Sequence, residues 1–251
     1  MRIASVLLLA LSCSVFAQSP ANVQRGPDNG PNTFIPGVDV LPLPGMPFTG
    51  NDKIVWTRPI EGGGSITAYL ESKAVRDGQG RVYRERHGFG PATADPAVTL
   101  QDFYILDPVS GTRTVCSKPL RMCHIVPFQP QPGTRLQPVG PFNQGKEYLS
   151  RETLGDKWID NLPVTGTLEK VTISPGAMGN DQILTLSREF WYSPDLKTNV
   201  SVLRKDPRTG TQDIRLQINS RGEPDPAIFK VPAGYRIEDN RPAGSPPLPR
   251  N

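Results

Sequence analysis

Few side chains in this sequence are of types suited to catalysis. The chain has two histidines, His87 and His124, and three cysteines. Neither histidine lies in a Gly-x-Ser-x-Gly nucleophile motif or in a His-Glu-x-x-His metal motif. Because no nucleophile, base and metal set can be assembled from such motifs, the sequence favours a non-catalytic protein. The alternative is a secreted enzyme, a hydrolase, with an unrecognised site.

The carboxylates and the glycine-containing loops give no stronger indication of a catalytic or phosphate-binding site. Four carboxylates of the second half are candidates for an acid pair of the glycosidase kind: Glu147, Glu152, Asp156 and Asp160. Carboxylates on strand faces and in loops are ordinarily solvated, so we do not assign them that role. The loops at 62–64 and 175–180 contain glycine, but neither opens a helix after a strand as phosphate cradles do. We assign no catalytic residue, no cofactor and no metal.

The first 17 residues have the pattern of a secretory signal peptide. An early arginine is followed by an apolar run and by small residues at the positions that a signal peptidase reads. Cleavage after Ala17 is favoured over lipidation at Cys13, because the residues before Cys13 match a lipoprotein signal poorly. No other apolar run approaches the ~20 residues of a membrane-spanning helix. We expect an exported protein, located in the periplasm or outside the cell.

Removal of the signal peptide leaves Cys116 and Cys123 in a compartment that permits disulfides. A proline-containing turn lies between them. We predict a disulfide that clamps a loop or hairpin end and stabilises the fold by about 2 to 3 kcal/mol. A zinc site that adds His87 and His124 is the alternative, although the spacing matches no familiar ligand pattern.

Charge and composition exclude some partners. The formal net charge is +4, and lysine and arginine are spread along the chain. A nucleic-acid partner is therefore not indicated. The apolar content suffices for the core of one domain or two small ones.

Hydrophobic alternation is clearest between Ile183 and Ile218, where it has the period of two that marks half-buried strands. Two tight turns join three such runs, which predicts an antiparallel meander. We also expect Phe229 to share the core of this meander. The predicted core face, or face for a hydrophobic ligand, is Leu184, Leu186, Phe190, Val202, Ile214, Leu216 and Ile218.

Further hairpins are predicted in the first half of the chain, from residues 65–75 with 81–88 and from residues 100–115. The turn at 107–112 reappears at 206–211 with two substitutions. Shared turn chemistry explains this repetition better than an internal duplication does. Helix signals are scarce, and the best is a single turn begun by Pro226 and capped by Asp225.

Proline and glycine content suggests how the chain is divided. Residues 18–50 are predicted to form a flexible Pro/Gly-rich arm, either a plain leader or a polyproline-like segment that lies over a groove or a partner. Residues 51–237 are predicted to form one antiparallel β domain. In it, a Pro-rich crossing at 127–145 joins two half-sheets. The tail at 238–251 is predicted to be disordered.

The run from Asn219 to Tyr235 resembles the end of many uncharacterised secreted bacterial proteins, and more distantly that of the outer-membrane lipoprotein carrier (LolA/LppX-like) superfamily. Three further pieces resemble parts of the same proteins: Glu152-Thr153-Leu154-Gly155 with Leu162-Pro163-Val164-Thr165-Gly166-Thr167, Glu189-Phe190-Trp191-Tyr192-Ser193, and Asp77-Gly78-Gln79-Gly80-Arg81. The carrier superfamily implies a strongly curved antiparallel sheet, an unclosed barrel whose concave side binds acyl chains under helices. This sequence lacks the amphipathic helices that cover that side.

Together these observations predict a mainly β protein: a curved antiparallel sheet of meandering hairpins, with few short helices and Pro-rich disordered ends. The predicted role is that of a non-catalytic secreted or periplasmic envelope protein. Its expected partner is a lipid, a lipoprotein or an envelope protein bound on the curved sheet.

Overall fold

The computed structural model of the protein describes residues 37–95, 99–129 and 136–245. The predicted signal peptide, Cys13 and the first half of the predicted arm lie outside these ranges, as do residues 246–251. The strands, in chain order, are β1 (Phe48–Pro59), β2 (Ser65–Arg76), β3 (Val82–His87), β4 (Leu100–Asp107), β5 (Thr112–Ser117), β6 (Met122–Pro127), β7 (Gly140–Phe142), β8 (Glu147–Ile159), β9 (Leu162–Ile173), β10 (Leu184–Ser193), β11 (Thr198–Asp206), β12 (Gly210–Ser220) and β13 (Arg236–Asp239). Two short 3-10 helices span Asn143–Gly145 and Pro226–Phe229.

All thirteen strands belong to one sheet, in the order β13-β6-β5-β4-β3-β2-β1-β12-β11-β10-β9-β8-β7. Strands β1 to β6 form one antiparallel meander and β7 to β12 form another. The pairing of β1 with β12 joins them into a continuous sheet, and only β13 runs parallel to its neighbour. Within the described residues the two outer strands do not pair with each other. The predicted unclosed antiparallel sheet is thus confirmed.

Chain length requires this sheet to be curved. Strands β6 and β7 follow each other in sequence but lie eleven strand positions apart, which is about 53 Å in a flat sheet. The connection from Pro127 to Gly140 can span at most about 47 Å when fully extended. The two ends of the sheet must therefore bend towards each other.

The two similar turns use the same chemistry. In the β4–β5 turn, Oδ1 of Asp107 accepts hydrogen bonds from the main-chain nitrogens of Val109 and Ser110 at 2.9 and 3.1 Å. In the β11–β12 turn, Oδ1 of Asp206 accepts from the main-chain nitrogen of Arg208 at 2.9 Å. A leading aspartate that bonds its own turn explains the repeated hexapeptide without a duplication.

The core has two separate parts. The first core lies mainly on β1, β2 and β9 to β12 and includes Phe190, Val202 and Ile214. The second core is centred on β4 to β6, where Phe103, Ile105 and the two cysteines pack with one another. No helix among the described residues is long and apolar enough to cross a membrane.

The second core corrects the expectation for Phe229. Its ring packs there, together with Ile228, Val231 and Tyr235, and not with the meander of β10 to β12. The 3-10 turn that carries it begins as predicted, because the Asp225 side chain accepts a 2.9 Å hydrogen bond from the Ala227 nitrogen. The closing segment then runs back to the first half of the sheet and ends in β13 beside β6.

Two predicted boundaries also differ from the structure. Strand β1 begins at Phe48, inside the range assigned to the arm, because it pairs with β2 from Phe48 and with β12 from Thr49. Glu238 and Asp239, assigned to the disordered tail, form the end of β13 through their pairing with β6. In both cases the strand is set by a partner distant in sequence, which local composition does not reveal.

Candidate ligand-binding face

One face of the sheet, which we call the inner face, carries a continuous apolar row. The register places Leu70, Ile54, Ile214, Val202 and Phe190 side by side on five neighbouring strands, from β2 to β10. Each of these side chains is buried. Three of them belong to the set predicted from the alternation.

A row of polar and charged side chains runs beside the apolar row, also on the inner face. Strand pairing aligns Arg151, Glu169, Arg188, Arg204 and Gln212 on β8 to β12. Glu169, 1% exposed, accepts from Nε of Arg151 at 2.8 Å through one carboxylate oxygen and from Nη2 of Arg188 at 2.5 Å through the other. These bonds meet the need of a buried carboxylate for charged partners.

This charged row divides the predicted apolar face. Phe190 and Leu186 lie on the same face of β10 with Arg188 between them, so only Phe190 joins the first core. Leu186 is buried beyond the row, opposite Val171 on β9, and Leu184 is half-buried. On β12, Leu216 lies in the first core and Ile218 packs against it.

Residues 37–47, which we call the strap, lie over the inner face. Val38 and Val40 are 1% and 4% exposed and belong to the first core. The sheet holds the strap by bonds from side chains to strap carbonyls: Arg84 donates to Val38 O, the Thr198 hydroxyl to Asp39 O at 2.6 Å, and Arg76 to Leu41 O and Met46 O at 3.1 and 2.9 Å. The strap is thus fastened to both β2–β3 and β11.

Two ionisable side chains buried under the strap, those of Asp52 and Arg76, have shifted pKa values. Asp52 is fully buried and forms an ion pair with Arg84. Burial raises the pKa of Asp52 to about 6, although the charge of Arg84 acts in the opposite direction. Burial also lowers the pKa of Arg76 to about 10, which leaves its guanidinium charged at neutral pH.

The end of the Pro-rich crossing approaches the same face. Leu136 packs against the first core, and Nη2 of Arg151 donates a 2.7 Å hydrogen bond to the Gln137 oxygen. These two residues at the end of the crossing therefore lie on the inner side of the bent sheet.

The residues considered for catalysis are dispersed. His87 on β3 and His124 on β6 are separated by two strands. The His87 ring is buried, with one nitrogen 3.0 Å from the Thr99 hydroxyl and the other 3.0 Å from a Glu85 carboxylate oxygen. His124 is partly exposed beside Glu238.

The four candidate carboxylates do not form an acid pair. Glu147 accepts a bond from Asn143, Asp156 accepts one from Thr165, and Asp160 lies in the β8–β9 turn. Glu152 is exposed on β8. Within the described ranges, no three His, Cys, Asp or Glu side chains come together in a way that could hold a metal ion.

The predicted disulfide is confirmed. Cys116 and Cys123 face each other across the β5–β6 hairpin with their Cα atoms 4.0 Å apart and their sulfurs joined. Both are fully buried in the second core, so the bond staples the hairpin that supports β13.

Comparisons with known proteins find only distant structural likenesses. No family model and no curated protein matches the sequence. An uncharacterised conserved protein from Thermus thermophilus is similar in structure, at 10% identity and a TM-score of 0.42, over 78% of this chain and 91% of that one. A LolA superfamily protein from Nitrosomonas europaea matches at 11% identity and a TM-score of 0.27, over 75% and 91%. LprF from Mycobacterium bovis matches at 11% and 0.27, over 72% and 90%. The Nitrosomonas europaea protein belongs by its name to the superfamily that the sequence resembles.

Sequence reasoning missed the charged row and the fastening of the strap. The row depends on the register of five strands, and a sequence does not specify that register. The strap bonds use main-chain oxygens as acceptors, which any residue supplies. The one available signal was the occurrence of Arg76, Arg84 and Arg204 at strand positions whose neighbours alternate as core.

Proposed function

We propose that this protein is a non-catalytic, exported envelope protein that binds an extended hydrophobic ligand, such as an acyl chain, on its inner face. The observation that carries the proposal is the position of Val38 and Val40, which fill an apolar surface from outside the sheet. The strap is irregular: one main-chain bond joins Gly45 N to Gly78 O, and side-chain bonds from Arg76, Arg84 and Thr198 hold the rest. A ligand that displaced it would meet the same apolar row.

The energetics allow such an exchange. Each buried methylene contributes about 0.8 kcal/mol, so ten give roughly 8 kcal/mol before ordering and association costs. Micromolar affinity needs a net value near 8 kcal/mol, so the bound chain must bury more than ten methylenes to offset those costs. The strap competes at high effective concentration because it belongs to the same chain. Its removal should therefore strengthen ligand binding.

The test compares the mature protein with a chain that begins at Phe48 and so lacks the strap. Native mass spectrometry, lipid extraction and titration with a fluorescent fatty acid would be applied to both. Ligand on both chains supports an open carrier face, and ligand on the shortened chain alone supports a face covered by the strap. A shortened chain that folds, shown by its circular dichroism, yet binds no fatty acid would refute the proposal.

The enzyme alternative depends on His87, whose ring joins the Thr99 hydroxyl and the Glu85 carboxylate. The Tyr83 hydroxyl and the main-chain nitrogen of Lys73 also donate to Glu85, which favours a structural network. Turnover of ester substrates that is lost in His87→Ala or His124→Ala would support the enzyme instead.

A further inference from the structure

Strand β8 has a long free edge. It spans Glu147–Ile159, but β7 pairs only with its first three residues. Residues 150–159 therefore have no strand partner on that side within the part of the chain that the structure describes. One end of this edge is bounded by β7, where the Gln137 oxygen also bonds Arg151, and the other by the turn into β9, so the stretch without a strand partner is ten residues long.

The charges along this edge are self-complementary. The sequence from Arg151 to Trp158 reads Arg-Glu-Thr-Leu-Gly-Asp-Lys-Trp. A two-fold axis between Leu154 and Gly155 would place Glu152 opposite Lys157 of a second copy, and Thr153 opposite Asp156. Both Glu152 and Lys157 are exposed. Charges that protect an edge against pairing repel an identical strand, whereas this order attracts one.

A bulge in β8 places Glu152 and Lys157 on the same face of the sheet, as their pairing in a dimer requires. Glu152 pairs with Leu168 and Lys157 with Val164, and the two β9 partners are four residues apart. Their side chains therefore lie on one face of the sheet, although Glu152 and Lys157 are five residues apart. The irregularity between Thr153 and Gly155 supplies the extra residue. Without this extra residue, a two-fold axis at this point would pair residues whose side chains lie on opposite faces of the sheet.

We propose that the protein forms a two-fold dimer through antiparallel pairing of β8 with β8 of a second copy. The centre of the free edge and the centre of the charge pattern coincide between Leu154 and Gly155, so one axis satisfies both. In this dimer the partner strand ends where β7 begins. Trp158, 73% exposed, would lie beside the position of Arg151 in the second copy and become covered.

The test is a set of charge reversals in the full mature chain, followed by sedimentation velocity and light scattering over a concentration series. Glu152→Lys and Lys157→Glu each place like charges opposite each other twice per dimer. Each should weaken association by about tenfold or more. The double reversal should restore it. Glu61→Lys, an equal charge change in the exposed β1–β2 turn, should leave it unchanged.

Mixing the two single variants gives the sharpest result. An equimolar mixture restores both opposite-charge pairs, so it should form a heterodimer although each variant alone dissociates. Loss of folding in one variant cannot produce this outcome. A wild-type protein that remains monomeric at every concentration, or a dimer that is indifferent to both reversals, would overturn the proposal.

Discussion

The buried guanidinium of Arg76 on β2 donates a 2.8 Å hydrogen bond to the main-chain oxygen of Leu196, in the turn between β10 and β11. Three strands separate β2 from β10 in the sheet. The same group also donates to Leu41 and Met46 of the strap. One side chain thus ties together the two meanders and the segment that covers them.

Arg76→Met should therefore destabilise the protein by about 3 kcal/mol or more, because it leaves one buried and two partly buried carbonyl oxygens without their donor. The measurement is the urea midpoint and slope. Arg215→Met is the matched control, since that side chain is 59% exposed and should shift stability by no more than about 0.5 kcal/mol. Equal effects from the two substitutions would contradict the role of Arg76.

Phe190 lies at one end of the apolar row with none of its surface exposed. Phe190→Ala should cost about 3 to 5 kcal/mol, because it removes a large buried ring and leaves a cavity. Tyr148→Ala, at a site that is 52% exposed, is the surface control. A denaturant midpoint unchanged by the Phe190 substitution would show that the ring does not belong to the core.

The pKa of Asp52, raised by burial to about 6 from 3.8, predicts a pH dependence. The folded protein keeps this proton to higher pH than the unfolded chain does, so the associated stability is present below about pH 4. It is lost as the pH rises through about 6, by an amount on the order of 3 kcal/mol.

Asp52→Asn removes the titration and so provides the reference. The free energy of unfolding of wild type, relative to that of the variant, should fall between pH 4 and pH 7. A difference that stays flat, or that rises with pH, would mean that Arg84 holds the carboxylate ionised throughout.

The sequence predicts the strands and turns of the fold better than it predicts which side chains meet on the inner face. Alternation in β10 to β12 and the aspartate-led turns specify local structure, because each residue contacts neighbours close in sequence. Phe229 was assigned to the wrong core, since its partners Phe103 and Tyr235 are brought to it by the path of the closing segment. The alignment of Glu169 with Arg188 likewise depends on strand register, which a single sequence leaves unspecified.

The disulfide between Cys116 and Cys123 closes a short loop, and chain-entropy arguments give it about 2.5 kcal/mol of stabilisation. Intact-mass analysis after alkylation, with and without reductant, should show both thiols protected in exported protein. Replacing both cysteines with serine should lower the urea midpoint accordingly. Two freely alkylated thiols in the native, unreduced protein would contradict the assignment.

Substitution of Gly166 tests how closely β9 packs against the Trp191 ring of the first core. A Cβ atom at this position would lie 2.5 Å from Cζ3 of the Trp191 ring, closer than contact distance. Trp191 is 8% exposed, and its indole nitrogen donates a 2.8 Å bond to Glu189. The Trp191 ring therefore cannot move aside without losing its burial and its hydrogen bond to Glu189.

Gly166→Ala should cost about 1 to 3 kcal/mol, as overpacking of a well-filled site does. It should also change the tryptophan fluorescence, because the Trp191 ring shifts towards solvent. Gly222→Ala is the control, since the nearest atom to its added methyl group is 3.6 Å away. If the two variants have equal urea midpoints and unchanged emission, Gly166 is not required by the indole, and the close approach of β9 to Trp191 must have another cause.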